Sequence, residues 1–419
     1  MGFKFYYKYL SVCLIGLSVI LLITKRTGYV HSTNEAVLES EVDIHNHTFF
    51  RNSAYKQFPS HRGNISSTTT FEESEQQRRL NRIGDVCKRM SRGNTENILI
   101  HKPKKMSYCV VPKNGCTYWI RVMRYLNNDT ESKVIHSPFE MTRSETHGFR
   151  YNQTMYRLQN KKHREIIFNT TRFMVSRNPY SRLLSGYMDK LFLPLYWGFQ
   201  GTKIIKTVRS NPSDGSLKCG HDLSFQEFLD YLITAKANPT RIDGHFRPIQ
   251  FYCSPCLFKP HILAKQETFK KDSEYILQKF DLAYLVKNYD HKSHVNDELR
   301  SLLDEYIGWS NSKIVKECLG REQYLLRIWK TFQINGYLPL GSEIVLKNRV
   351  VSGKEFKKLV ISSLHHGDDS KEKMKKQRHE MMVKMYRNVS KQTLDGIIDM
   401  FQFDFELFGY EKRPSDIFT

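Results

Sequence analysis

The stretch Tyr108 to Leu126, YCVVPKNGCTYWIRVMRYL, decides the fold. Tyr108 to Val111 is a short β-prone run closed by Pro112, which cannot donate to a ladder. Lys113, Asn114 and Gly115 supply turn chemistry. From Thr117 onward, Trp119, Met123 and Leu126 recur at i, i+4 and i+7, so a helix with one buried face is predicted. The order is strand, loop, helix.

A second stretch repeats that order. Arg172 to Ser176, RFMVS, reads as a strand, and Pro179 fits the first turn of a helix whose Leu183, Leu184, Tyr187 and Leu191 share a face. Strands alternating with helices predict an α/β domain with a mainly parallel sheet. Further helices are expected at Ser224 to Ile233, at Gln392 to Phe401 and, strongly charged, from about Lys371. The closing MFQFDFELFGY reads as core packing rather than a cofactor box. Ordered structure is expected to begin near Ile98.

The chain has 419 residues, with 65 Lys and Arg against 43 Asp and Glu, a net +22. Forty per cent of the residues are hydrophobic, which excludes a disordered tail protein. The charge favours a polyanionic partner. Nucleic acid is disfavoured by the N-terminus, where Tyr9 to Thr24, YLSVCLIGLSVILLIT, is uncharged and flanked by lysine and arginine. At 1.5 Å per residue it spans about 24 Å, enough for a thin bilayer. TKRTGYV offers no small-residue cleavage site, so an uncleaved signal-anchor is read here rather than a signal peptide. Acceptor sequons begin at Asn46, Asn64, Asn128, Asn152, Asn169 and Asn388, all beyond that segment, which places the body in a secretory lumen. The expected organisation is a cytoplasmic stub (1–8), a transmembrane signal-anchor (9–24), a flexible luminal stem (25–95), a catalytic domain (96–412) and a short tail (413–419).

Of eight cysteines, Cys13 lies in the anchor and seven remain, an odd number that leaves a free thiol or an intermolecular bridge. Cys253 and Cys256 are assigned structural disulfide work, with each other or with Cys87, Cys219 or Cys318, and Cys116 is read as the unpaired thiol. No second metal-type pair accompanies them.

Both loops suit anions. Val111 to Thr117 presents amides at a helix N-terminus with the Lys113 ammonium beside them, and Arg177 to Ser185, RNPYSRLLS, offers a guanidinium fork and hydroxyls. The Walker A order is missing, so an ordinary ATPase is disfavoured. Two such sites suggest one ligand with two separated phosphate groups.

YCVVPKNGCTYWIRVMRYL resembles the 5′-phosphosulfate loop of the Golgi carbohydrate sulfotransferases, the chondroitin, dermatan and GalNAc 4-O-sulfotransferase group. VSRNPYSRLLSGYMDKL resembles their 3′-phosphate loop, and DGHFRP, CSPC, KQETF and DFELFGY extend the similarity over most of Tyr108 to Tyr410. The resemblance implies a P-loop-like sulfotransferase domain using 3′-phosphoadenosine 5′-phosphosulfate (PAPS) as donor, without a metal, on a glycan or proteoglycan acceptor at the Golgi membrane. Pro112, Lys113, Asn114, Gly115, Cys116, Thr117 and Tyr118 would cradle the phosphosulfate. Arg177, Asn178, Pro179, Tyr180, Ser181, Arg182, Leu183, Leu184 and Ser185 would hold the 3′-phosphate. The chain departs from the family's Thr-Asn-Trp-Lys-Arg at Tyr118 and Ile120. Sulfuryl transfer needs a cation at the bridging oxygen, for which Lys113 is the candidate, and a base, for which His245 in D-G-H-F-R-P is the candidate, with Glu267 and His221 in reserve. Alternatives are a non-catalytic basic receptor for sulfated glycans and a Golgi glycosyltransferase. The usual Asp-x-Asp of the latter does not occur.

Overall fold

Among the described residues four short strands pair in the order β1 (Ile98–His101), β2 (Met106–Cys109), β3 (Thr171–Ser176) and β4 (Ile262–Lys265). Every pairing past the first is parallel, while β1 returns antiparallel on β2 through the Lys102–Lys105 turn, so the sheet is mixed, with its parallel pairings in the majority as the sequence predicts. The structure, a computed structural model, describes residues 71–90, 93–130, 134–148, 155–286, 291–346, 351–365 and 370–418. The stub, the apolar segment 9–24 and residues 25–70 of the stem lie outside the described residues. No helix among the described residues is long and apolar enough to cross a membrane.

The helices that position the site are, in chain order, α1 (Phe71–Cys87), α2 (Cys116–Leu126), α3 (Pro179–Tyr187), α4 (Phe225–Thr234), α5 (Phe269–Lys279), α6 (His291–Gly308), α7 (Arg321–Ile334), α8 (Ser370–Arg387), α9 (Lys391–Met400) and α10 (Gln402–Phe408). Along each central strand the side chains alternate between two cores, as a period of two requires. Tyr108, Phe173, Val175, Ile262 and Ala264 face α2 and α5, where Trp119 and Ile276 fill the space. Cys109, Met174 and Leu263 face the other way, onto Ile83 and Val86 of α1 and Leu407 and Phe408 of α10. Helices therefore cover both sheet faces, as expected of an α/β domain. The aromatic C-terminal stretch is core, with Phe401, Phe405 and Phe408 buried.

Ordered structure begins earlier than the sequence suggested, because α1 occupies a stretch assigned to the stem. Its buried residues are Gln76, Arg79, Ile83 and Val86, a helical stripe that is half polar. The reason is local to β4, an edge strand whose backbone needs partners. Gln76 Oε1 accepts from the Leu263 amide at 2.9 Å, while Arg79 donates to the Leu263 carbonyl at 2.8 Å and to Asp272 at 2.8 Å. A helix that caps an edge with polar side chains carries no apolar period to be read.

Among the described residues three disulfides join Cys87 to Cys256, Cys109 to Cys253 and Cys219 to Cys318, and Cys116 is unpaired. Cys253 and Cys256 thus bond neither to each other nor, for Cys253, to an expected partner. The sequence marks Cys109 only as a strand residue, and strand β2 brings it to Cys253 through tertiary packing.

Candidate active site

The first loop leaves β2 at Val110 and enters α2 at Cys116, with two left-handed residues, Lys113 at φ 69° and Gly115 at φ 77°. Gly115 suits that conformation, and a Cβ there would also stand 2.6 Å from the Phe269 ring. Lys113 pays the usual cost of αL for a side-chain residue, a kind of strain that clusters at functional loops. Gly115 is the N-cap of α2 and gives no side-chain cap, so the first amides of α2 are left for another acceptor. Asn114, fully buried, ties the loop to the end of β3 by donating to the Val175 carbonyl at 2.7 Å.

The second loop leaves β3 and enters α3. Asn178 caps α3 by accepting from the Tyr180 amide at 2.9 Å, with Pro179 in the first turn. Arg177 donates through Nη1 to the Lys113 carbonyl at 2.7 Å and through Nε to Ser181 Oγ at 3.0 Å, so the two loops are directly joined. Among the described residues no acceptor meets its Nη2. Burial lowers the Arg177 guanidinium to about 10, with Glu267 acting the other way.

Arg182 is a strut. It is 1% exposed and donates to the carbonyls of Pro112 at 3.2 Å, Gly244 at 2.8 Å and Arg247 at 2.6 Å, locking the first loop to the DGHFRP segment. Tyr180, Leu183 and Leu184 have their side chains in the helical core, so only their backbone or their helix could serve a phosphate. Ser181 and Ser185 are half-buried.

Lys113 points to a residue the sequence did not single out. Its Nζ donates to Asp189 Oδ2 at 2.8 Å, Lys190 Nζ lies 3.3 Å from the same oxygen, and Tyr306 donates to Oδ1 at 3.1 Å. Asp189 sits on a π-helical turn, Met188–Phe192, that continues α3. Burial opposes its charge, yet Lys113, Lys190 and Arg143 hold its carboxyl well below the usual range. Burial in turn depresses the Lys113 ammonium, against the pull of Asp189.

His245 lies in the same electrostatic environment. Its Nδ1 meets Asp243 Oδ1 at 2.7 Å and Tyr196 Oη at 3.1 Å, and its side chain is 26% exposed. That pairing fixes Nδ1 on the carboxylate side and leaves Nε2 as the ring's proton acceptor. Burial lowers its pKa below the ordinary 6.5, Asp243 resists, and the charges of Lys190 and Lys113 push it further down. The imidazole is neutral at pH 7.

His147, also absent from the sequence reading, joins the site from the short helix Arg143–Thr146. Its Nε2 meets Thr117 Oγ1 at 3.1 Å, and burial, Arg143 and Lys190 press its pKa down to about 3. Arg143 itself is held by Glu305 at 2.8 Å and Glu298 at 3.2 Å, both from α6. The reserve bases are placed otherwise. Glu267 accepts from the Asn178 amide at 2.9 Å and from Tyr410 at 2.8 Å, clamping the second loop. His221 packs edge-on against Trp197. At the two departures from the family pattern, Tyr118 packs against Trp119, Phe139 and Phe269, and Ile120 is fully buried. Both side chains do packing work there.

The sequence profile described as "Sulfotransferase family" matches residues 96–330, more than half of the chain. The chain belongs to the sulfotransferase family and is a sulfotransferase. It is 28% identical over 243 residues to carbohydrate sulfotransferase 11 of Mus musculus, covering 53% of this chain and 67% of that one. It is 27% identical over 248 residues to carbohydrate sulfotransferase 14 of Danio rerio, covering 58% and 62%. With carbohydrate sulfotransferase 9 of Homo sapiens it shares 28% over 241 residues, covering 54% and 52%. The aligned part spans about half to two thirds of these relatives' lengths. No solved structure matches the chain at a comparable level of significance.

Proposed function

We propose that this chain transfers the sulfuryl group of PAPS to a hydroxyl of a glycan, in the Golgi lumen, from a single-pass anchor. The observation that carries the reading is the common environment of Lys113 and His245, which come from segments far apart in sequence: Lys190 lies 3.3 Å from the Asp189 oxygen that Lys113 holds and 5.6 Å from the ring centre of Tyr196, whose hydroxyl meets His245 Nδ1. In this reading the amides of residues 113–117 and the Lys113 ammonium take the phosphosulfate, and Arg177 takes the 3′-phosphate with Nη2. The acceptor hydroxyl gives its proton to His245 Nε2 as its oxygen bonds to sulfur. The sulfur's bond to the bridging phosphate oxygen breaks, and the charge left on that oxygen is met by Lys113. The luminal placement is supported by Asn128, Asn169 and Asn388, the described acceptor asparagines, all of which are exposed.

The direct test incubates the protein with sulfur-labelled PAPS and a panel of desulfated glycans. Label should enter one class of glycan in proportion to the 3′-phosphoadenosine 5′-phosphate (PAP) released. Glycan binding that is indifferent to PAPS, with no PAP released, would instead make the protein a receptor.

Two further outcomes follow from the geometry. Arg177→Ala should weaken PAP binding by about 1.5 to 3 kcal/mol, the usual worth of a charged hydrogen bond, read by calorimetry. Undiminished affinity would remove Arg177 from the 3′-phosphate site. The second concerns pH. A base must be neutral to act, so turnover should hold through neutral pH and fall on acidification through the His245 pKa, below 6.5. Lys190→Ala removes a charge that depresses that pKa, so the acid limb of the kcat/KM profile should move to higher pH. A limb that stays put in the variant would separate the limb from His245.

A further inference from the structure

The segment joining Asp189 to α4 is unusual in its backbone. It runs through the π-helical turn Met188–Phe192, a 3₁₀ turn at Pro194–Tyr196 and a second π-helical turn at Trp197–Gly201. Such turns are rare and gather at functional sites. The first supplies Asp189 and Lys190 to the site. The second carries Phe199, which is 56% exposed.

A single exposed phenylalanine is ordinary on a protein surface, but Phe199 has a defined setting. Its ring lies 4.8 Å, centroid to centroid, from that of Tyr196, and Tyr196 lies 5.7 Å from the His245 ring in an edge-on arrangement. The two contacts put Phe199 within about two ring widths of the imidazole. Lys190 Nζ stands 5.6 Å from the Tyr196 centroid. The result is an apolar face rimmed by an ammonium, a phenol and an imidazole.

The platform is also firmly held. Trp197, fully buried, donates to the Leu191 carbonyl at 2.7 Å. Gly201 packs so closely on Gly220 that a Cβ at Gly201 would sit 2.6 Å from the Gly220 carbonyl oxygen, and the neighbouring Cys219 is tied to Cys318. An exposed aromatic ring on so constrained a support is preorganised for contact.

We infer that Phe199 and Tyr196 form the acceptor subsite, stacking against the C–H face of a pyranose ring while its hydroxyl edge turns toward His245. A pyranose is the ligand chemistry that matches: one face is apolar and the edge is lined with hydroxyls, as the platform is apolar with a polar rim. Tyr196 serves twice, through its ring for the sugar and through its hydroxyl for His245 Nδ1. The inference rests on the sulfuryl-transfer reading above and adds to it the place where the acceptor lies.

Phe199 makes the clean test because it is exposed and outside the proton path. Acceptor KM and kcat are measured at saturating PAPS, and PAP affinity by calorimetry, for the wild type, Phe199→Ala and Phe199→Trp. Phe199→Ala should raise acceptor KM about tenfold, the scale of losing one aromatic contact and its buried area, with kcat within about twofold and PAP affinity unchanged. Phe199→Trp should restore KM to within about twofold of wild type. An unchanged acceptor KM in Phe199→Ala, a matching loss of PAP affinity, or a Trp variant as poor as the Ala variant would each overturn the assignment. A wild-type protein that neither binds PAP nor transfers sulfate would instead overturn the underlying reading, and the subsite with it.

Discussion

Lys113→Ala is expected to lower turnover by about 10² to 10³, the scale of removing one preorganised donor from developing charge. The structure gives the reason for so large an effect. Lys113 is held by Asp189 at 2.8 Å on a backbone in the left-handed region, so its ammonium is placed before any substrate arrives. That placement is useful chiefly when charge appears on the bridging oxygen, so kcat should fall more than donor affinity. The fold should survive, because Asp189 keeps Lys190 at 3.3 Å and the Tyr306 hydroxyl at 3.1 Å after the change. Single-turnover measurements on a preparation with wild-type thermal unfolding would check this. Turnover within about threefold of wild type would dismiss Lys113 from the chemistry.

His245→Ala is expected to cost about 10² to 10⁴ in turnover, the usual contribution of a general base, while leaving PAP affinity nearly intact. This pattern is the reverse of that expected for Arg177→Ala, since the imidazole meets only the acceptor in the proposed geometry. Asp243 sharpens the expectation. Its carboxylate holds His245 Nδ1 at 2.7 Å, so Asp243→Asn should also slow turnover, by disturbing the tautomer without removing the base. Normal turnover in His245→Ala would pass the role elsewhere. Glu267 is poorly suited to inherit it, since both its oxygens are engaged by Asn178 and Tyr410. His147 would be the nearer successor, because its neutral imidazole already touches Thr117 of the donor loop.

The two loops were legible because their chemistry is local. Strand residues, a turn with Gly115 and a helix period lie within about one supersecondary unit, and Pro179 with Asn178 announces the second helix start. The base candidate was legible as a histidine near an aspartate. What escaped the sequence depends on partners distant along the chain. Asp189 gains its role only when α3 brings it under Lys113, and nothing near it in sequence distinguishes it from a solvated acid. Arg182 lies inside the phosphate motif yet spends its donors on three carbonyls, which no pattern of residue types could reveal. Helix α1 was hidden because its buried stripe is half polar: Gln76 and Arg79 serve the backbone of β4, and only Ile83 and Val86 enter a core. Cys109 was legible as a strand residue, but its disulfide with Cys253 depends on a segment distant along the chain. The charged stretch from Lys371 to Arg378 was legible as a helix. It lies on α8, where Gln377 anchors the helix by donating to the Gln333 and Leu338 carbonyls at 2.7 Å, and Arg378 donates to the Asn335 carbonyl at 2.9 Å.

The account stands most directly on where the nucleotide lies. A crystal structure of the protein with PAP should place the 5′-phosphate within hydrogen-bonding distance, about 3 Å, of the amides of residues 113–117, and the 3′-phosphate at the same distance from Arg177 Nη2. PAP bound away from both loops, or with its two phosphates exchanged between them, would contradict it.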